Sequence, residues 1–178
     1  MIYCNTLNTT SIFLFWERCM SEDVKKTRRP SLRFNESEIK LALSVIEKME
    51  KPIELMYYLM DREHEKPFVI ILISAEDIEV ASLLEEEKRD TDLLFEIDEN
   101  KKLFALICQE TKVDGGYRFA ERLLRSLISN NAHTIYCTEM EIRSTKYAIK
   151  EVIFKSIESY IMAKKEKKKS EIIFRSLQ

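Results

Sequence analysis

The chain has 178 residues, of which 45% are hydrophobic and 34% are charged, and its formal net charge is −2. These values fit one globular domain with an appended segment, and they exclude a chain too small to bury its own core. Only 2 glycines and 3 prolines are present, so long helices and short turns are expected.

Residues 1–34 are predicted to form a flexible N-terminal lead-in. The apolar run from Ile12 to Trp16 is too short to span a membrane, and no basic residues precede it as they do in a signal peptide. The basic stretch from Lys25 to Arg33 is interpreted as solvated rather than as a nucleic-acid site. The sequence therefore favours a cytoplasmic protein with no membrane span and no nucleic-acid partner.

Residues 35–62 are predicted to form a helical segment made of two helices. Asn35 followed by Glu38 is the pattern of a helix N-cap with its capping-box partner. Pro52, a residue type favoured in the first turn of a helix, is expected to begin the second helix. The dense apolar run after it fits packing on a sheet of the same chain and packing on a partner's helix equally well. A homodimer is therefore an open alternative.

Residues 66–178 are predicted to form the main domain, which alternates strands with helices. Its first strand is a continuous apolar run of the kind found at the centre of a sheet covered on both faces. Two strands joined by a polar turn then form a β-hairpin. The predicted strands are Lys66 to Ser74, Leu93 to Ile97, Leu103 to Cys108, His133 to Cys137 and Ile172 to Phe174, and the predicted helices are Ala75 to Lys88, Tyr117 to Ser129 and Thr145 to Lys165.

The order of these elements is βαββαβ followed by αβ. This order predicts an α/β (α+β) fold with a ferredoxin-like core and an extra strand. The N-terminal helices are expected to precede that core.

The four cysteines give no sign of a metal site. Cys4, Cys19, Cys108 and Cys137 contain no CxxC pair, and no histidine stands at a zinc-ligand spacing from them. Cys108 and Cys137 lie in strand-like apolar runs, so they are expected to be reduced core residues rather than a disulfide.

Charged residues stand at the foot of the predicted hairpin and on the helix after it. Arg89-x-x-Asp92 precedes the hairpin, and Ala120-Glu121-Arg122 lies on the following helix. This pattern resembles the second half of a GGDEF (diguanylate cyclase-like) domain. The stretch from Val152 to Lys164 is similar to the closing helix of that family. The resemblance covers roughly Lys66 to Phe174 and implies a nucleotide-cyclase-like sheet.

The hairpin turn differs from the signature that gives this family its name. Asp98-Glu99-Asn100-Lys101-Lys102 stands where the family has Gly-Gly-Asp/Glu-Glu-Phe, and Ser74 stands where the family has a metal-binding Asp. Cyclase chemistry needs glycines where the backbone approaches the nucleotide and carboxylates that hold divalent metal. The chain therefore resembles a degenerate, catalytically inactive member with no cofactor. Lys164 matches a phosphate-contacting lysine of active members, although a solvated helix end is the favoured interpretation here.

The resemblance also implies a ligand. In GGDEF proteins that are inhibited by their product, RxxD and an arginine on the next helix bind cyclic di-GMP, and the matching residues here are Arg89, Asp92 and Arg122. An arginine fork can pair with the O6 and N7 edge of guanine, and a carboxylate can accept from its N1 and N2 donors. All three side chains are expected near the surface. The alternative is that Arg89 and Asp92 pair only with each other and that Arg122 is an exposed helix residue.

Two functions follow from these residues. The first is an inactive GGDEF-like signalling module that binds cyclic di-GMP and signals to a protein partner. The second is a protein-interaction or dimerisation module with no nucleotide ligand.

Overall fold

The computed structural model describes residues 35–62, 66–100 and 102–177. The lead-in predicted over residues 1–34 lies outside the described residues. No helix within these described ranges is long and apolar enough to cross a membrane.

Helices and strands alternate along most of the described chain. The helices are α1, Glu36–Arg62; α2, Ala81–Glu87; α3, Val113–Ser129; and α4, Ile149–Lys165. The strands are β1, Phe68–Ala75; β2, Leu93–Asp98; β3, Leu103–Cys108; β4, Ile135–Ile142; and β5, Ile172–Leu177.

The strands form one sheet in the order β2-β3-β1-β4-β5, with β1 in the middle. β1 runs antiparallel to β3 and β4, while β5 is added parallel to β4. Every residue of β1 is buried, as expected for a continuous apolar strand that is covered on both faces. The predicted ferredoxin-like core with an extra strand is therefore confirmed.

Helices cover both faces of the sheet. On one face, Val69, Ile71 and Ile73 of β1 belong to an apolar cluster that includes residues of α2 and α3. On the other face, the Tyr57 ring of α1 contacts the Phe68 ring, with 6.2 Å between ring centroids. Successive side chains of β1 point to opposite faces of the sheet, so the strand contributes to the apolar core on each face.

The N-terminal segment is one helix, so the prediction of two helices divided at Pro52 is wrong. Its start is as predicted, because the Glu38 amide donates to Asn35 Oδ1 at 2.9 Å and the Asn35 amide donates to Glu38 Oε2 at 2.8 Å. Pro52 lies inside the helix. Met49 and Ile53 on either side of it are fully buried, and their packing outweighs the backbone hydrogen bond that proline removes.

The helix predicted from Ala75 begins only at Ala81. A turn precedes it and is held by Asp77, whose carboxylate accepts backbone N–H groups of His133 at 2.6 Å and Thr134 at 3.4 Å. These hydrogen bonds lower the pKa of Asp77. Contacts with a segment more than 50 residues away, rather than local periodicity, therefore set where this helix starts.

The fourth strand is longer than predicted and continues to Ile142. Glu139 and Glu141 made the second half of this strand look polar, yet both side chains are buried. The added residues of β4 pair with β5, which runs to Leu177 in register with Ile142. The sequence predicted only the first part of this strand, because the polar residues of its second part are buried by contacts that only the tertiary structure makes.

The two cysteines within the described part of the chain, Cys108 and Cys137, are buried free thiols. Burial raises the pKa of each thiol. Both are core residues, as the sequence predicted.

Candidate functional site

Arg89 and Asp92 form a bidentate ion pair in the connection between α2 and β2. Arg89 Nη2 lies 3.0 Å from Asp92 Oδ1, and Nε lies 3.1 Å from Oδ2. The Arg89 amide also donates to Asp92 Oδ2 at 3.2 Å, and the Asp92 amide donates to the Arg89 carbonyl at 2.9 Å. The hydrogen bonds to Asp92 raise the pKa of Arg89. Four contacts between two residues that are three positions apart thus fix this turn.

The guanidinium also reaches the end of β3. Arg89 Nη2 donates to Thr111 Oγ1 at 2.6 Å and to the Gln109 carbonyl at 3.3 Å. The Thr111 amide in turn donates to the Pro67 carbonyl at 2.9 Å, just before β1. The pair therefore lies at the open end of the hairpin, as the sequence predicted.

The two members of the pair differ in exposure. The Asp92 side chain is 0% exposed, whereas the Arg89 side chain is 54% exposed. The expectation that all three site residues lie near the surface is therefore wrong for Asp92. Its short side chain accepts hydrogen bonds from Arg89 within the turn and is covered there.

Arg122 projects from α3 toward the end of α2. Its Nε lies 2.9 Å from Glu87 Oε2, and its Nη2 donates to the Glu87 carbonyl at 2.7 Å. The guanidinium also lies over the Phe119 ring, 5.0 Å from the ring centroid. The side chain remains 55% exposed.

The structure brings Arg122 to the same connection that carries Arg89, because Glu87 precedes Arg89 by only two residues. It does not bring the three predicted residues into one direct contact: Asp92 pairs with Arg89, and Arg122 pairs with Glu87. Both arginines are thus oriented by a carboxylate and keep about half of their surface open to solvent.

Thr111 and Glu87 are site residues that the sequence did not identify. Thr111 stands 22 positions from Arg89, and Glu87 stands 35 positions from Arg122. The sequence signal for Thr111 was only its position after a predicted strand. Glu87 belongs to a run of three glutamates that looked like a solvated helix end.

A second polar cluster lies at the opposite end of the sheet, where β1 ends. The Tyr160 hydroxyl donates to Ser74 Oγ at 2.8 Å, and both side chains are buried. Lys164 pairs with Glu76 at 2.5 Å and lies over the rings of Tyr136 and Tyr160. Burial is the largest single effect on Lys164 and lowers its pKa, but the hydrogen bond to Glu76 and the charges of Glu76 and the nearby tyrosines together outweigh burial and raise the lysine pKa. Lys164 is therefore a structured, partly buried cation, and not the solvated helix end that was favoured.

The hairpin turn lies close to this cluster. In the strand register, Leu103 lies opposite Asp98 on one side and opposite Ser74 on the other. Lys102 closes the turn with φ 45° and donates to the Ile78 carbonyl at 2.9 Å. Among the residues that the structure describes, no three His, Cys, Asp or Glu side chains are grouped so that they could hold a metal ion.

Solved GGDEF domains share this fold. The GGEEF domain of a diguanylate cyclase from Vibrio cholerae matches with a TM-score of 0.59 and 12% identity, over 74% of this chain and 97% of that domain. The GGDEF domain of DgcB from Caulobacter crescentus, solved in complex with c-di-GMP, matches with a TM-score of 0.51 and 10% identity, over 84% of this chain and 98% of that one.

A third match extends over more of this chain. The diguanylate cyclase SiaD from Pseudomonas aeruginosa, solved in complex with its activator SiaC, matches with a TM-score of 0.53 and 13% identity, over 93% of this chain and 70% of that one. The sequence itself matches no family model and no curated protein. Identities this low show a common fold, so the predicted GGDEF-like domain is confirmed at the level of architecture.

Proposed function

We propose that this GGDEF-like domain is a catalytically inactive cytoplasmic signalling module. In this proposal it binds cyclic di-GMP through Arg89, Asp92 and Arg122 and passes the signal to a protein partner. The observation that carries the proposal is the Arg89 guanidinium, which is half exposed and is oriented by the buried carboxylate of Asp92.

An oriented arginine suits guanine recognition. The O6 and N7 atoms of guanine lie in one plane, and because Nε and Nη2 of Arg89 donate to Asp92 and Thr111, the two N–H groups of its Nη1 are the donors for them. Asp92 Oδ1 and Oδ2 and Thr111 Oγ1 hold Arg89 in a defined orientation before a ligand arrives. Less side-chain entropy is then lost on binding than for a freely rotating arginine.

Asp92 takes a different part from the one inferred from the sequence. Its buried oxygens accept hydrogen bonds from Arg89, so it acts as a positioning residue for that arginine rather than as an acceptor for guanine N1 and N2. Arg122 supplies a second exposed cation on the neighbouring helix. Planar guanidinium groups also stack on bases, and the Arg122 guanidinium already lies over an aromatic ring, that of Phe119.

The proposal of an inactive domain is supported by the hairpin turn and by the end of β1. The turn from Asp98 to Lys102 contains no glycine, and Ser74 provides a hydroxyl where a metal-binding carboxylate would stand. The Ser74 hydroxyl is buried against Tyr160, and the neighbouring Glu76 is paired with Lys164. These groups are already engaged in contacts within the chain.

Isothermal calorimetry with cyclic di-GMP tests the binding site. Arg89→Ala is expected to weaken binding by about 1 to 3 kcal/mol, the range for losing a good bidentate pair with guanine. Arg122→Ala should weaken it as well. Arg125→Ala is the matched control, because Arg125 is an exposed arginine of the same helix that pairs with Glu121 instead.

The control variant should bind as the unmodified protein does. No heat of binding at high micromolar ligand, or equal losses for all three arginine variants, would contradict the proposed site.

The second candidate function is an interaction or dimerisation module with no nucleotide ligand. It is favoured by α1, on which Leu55 and Tyr58 are large apolar side chains that remain about half exposed. Arg62 lies over the Tyr58 ring, 4.7 Å from its centroid. Loss of oligomerisation or of partner binding in Leu55→Ser, together with no response to cyclic di-GMP, would favour this function.

A further inference from the structure

The carboxyl group of Glu139 is buried without a hydrogen-bond partner. The residue is 1% exposed, in the middle of β4, between β1 and β5. Neither Oε1 nor Oε2 has a hydrogen-bond partner among the described residues. An ionised carboxylate in such a place carries a large desolvation cost, so this group requires an explanation.

Its neighbour on the same strand shows the contrast. Glu141 is also fully buried, yet it accepts from the Val113 amide at 2.9 Å, from Arg143 Nε at 2.8 Å and from Ser176 Oγ at 3.0 Å. Glu141 is therefore a satisfied anion that anchors the first residue of α3. Glu139 lies one turn further under the same helix and has no such partners.

Glu139 lies directly against the first turn of α3. A Cβ atom placed on Gly116 would lie 2.3 Å from Glu139 Oε1 and 3.0 Å from Val69 Cγ1. The carboxyl group thus occupies the space under a glycine, and α3 can approach the sheet this closely only because Gly116 has no side chain.

The titratable groups around Glu139 oppose a negative charge on it. The pKa of Glu139 is raised to about 7, first by burial and then by the carboxylates of Glu141 on β4 and Asp114 on α3. The thiols of Cys137 on β4 and Cys108 on β3 are the other titratable groups nearby. The residue of β5 in register with Glu139 is Phe174, which carries no charge.

We propose that Glu139 is a proton-operated latch for the first turn of α3. When neutral, the carboxyl group is accommodated beneath Gly116 and the helix stays on the sheet. When ionised, the group needs water or hydrogen-bond donors that its site lacks, and the first turn of α3 must loosen to provide them. The same turn follows Thr111, which holds Arg89, so the latch also bears on the candidate site.

The direction of the pH effect follows from the two states of the chain. Below the ordinary carboxyl pKa of 4.5, Glu139 is protonated in the folded and the unfolded chain alike. As pH rises from there to about 7, the unfolded chain releases the proton while the folded chain retains it. Glu139 therefore lowers stability progressively over this range, and above it the loss is complete.

Thermal unfolding at pH 5 and pH 8 tests the latch in unmodified protein, Glu139→Gln and a control, Glu96→Gln. Glu96 is an exposed carboxylate on β2. The melting temperature of unmodified protein and control should fall by on the order of 5 °C between the two pH values, and Glu139→Gln should lose most of this dependence. Amide exchange at Gly115 and Gly116 should lose protection at pH 8 in the unmodified protein and in the control, but not in Glu139→Gln.

An equal pH dependence in Glu139→Gln and in the control would overturn the proposal. If the Gln variant does not fold, the carbon-13 titration of the Glu139 carboxyl in the unmodified protein decides. A midpoint near 7 supports the latch, and a midpoint below about 5.5 overturns it.

Discussion

Asp92 illustrates how much a single buried carboxylate can organise. Its two oxygens accept three hydrogen bonds from Arg89, two from the guanidinium and one from the backbone amide. The side chain is fully covered, while its partner remains half open to solvent. The pair therefore contributes to stability through the turn that it closes and to the proposed binding through the arginine that it orients.

Asp92→Ala is expected to lower the free energy of unfolding by about 1 to 3 kcal/mol, because the Arg89 amide and guanidinium lose their acceptor. Urea unfolding at pH 7 measures the change. Asp90→Ala is the matched control, since Asp90 lies in the same connection with an exposed side chain. Equal effects of the two substitutions would show that the ion pair between Arg89 and Asp92 contributes nothing to stability.

At the scale of the element, α3 is the helix on which the candidate site depends. Its first turn is held by Glu141, which accepts a hydrogen bond from the Val113 amide. Further along the helix, Arg122 pairs with Glu87 at the end of α2, and the exposed Arg125 pairs with Glu121. Gly116 permits the first turn of α3 to lie close to Glu139 and Val69 of the sheet.

Gly116→Ala is expected to destabilise the protein by about 1 to 3 kcal/mol, because the added methyl group overlaps Glu139 Oε1 and Val69 Cγ1. Gly115→Ala is the control in the same helical turn, since its Cβ would meet only Thr111 Cγ2 at 3.2 Å. Thermal unfolding of the two variants should show a much larger loss for Gly116→Ala. A stabilised Gly116→Ala would mean that α3 does not pack as the structure shows.

At the scale of the whole molecule, the sheet has two polar ends with different occupants. The end with Arg89 and Arg122 presents half-exposed cations. The end with Ser74 and the hairpin turn is closed by contacts within the chain, including the ion pair between Glu76 and Lys164. The proposed function therefore assigns ligand binding to the first end and no chemistry to the second.

Purified protein incubated with GTP and magnesium or manganese is expected to form no cyclic di-GMP, because the turn has no glycine and the end of β1 has no carboxylate at Ser74. Chromatography of the reaction products measures turnover. Product that disappears on changing Asp98 or Glu99 would show that the turn is catalytic and that the domain is an enzyme.

Local patterns in the sequence determined most of the elements. The apolar run of β1 predicted a central strand, and Asn35 with Glu38 predicted the start of α1, because burial on both faces and capping act over a few residues. The RxxD spacing also predicted the Arg89–Asp92 pair as one of two alternatives.

Tertiary structure decided the features that depend on distant residues. From the local sequence alone, Pro52 predicts a break between two helices. The packing of its neighbours nevertheless keeps α1 continuous. The partner of Arg122 lies on another helix, and the burial of Glu139 depends on a glycine 23 positions earlier coming to lie over it. Local spacing predicts which residues share a face, whereas which faces meet is determined by long-range packing.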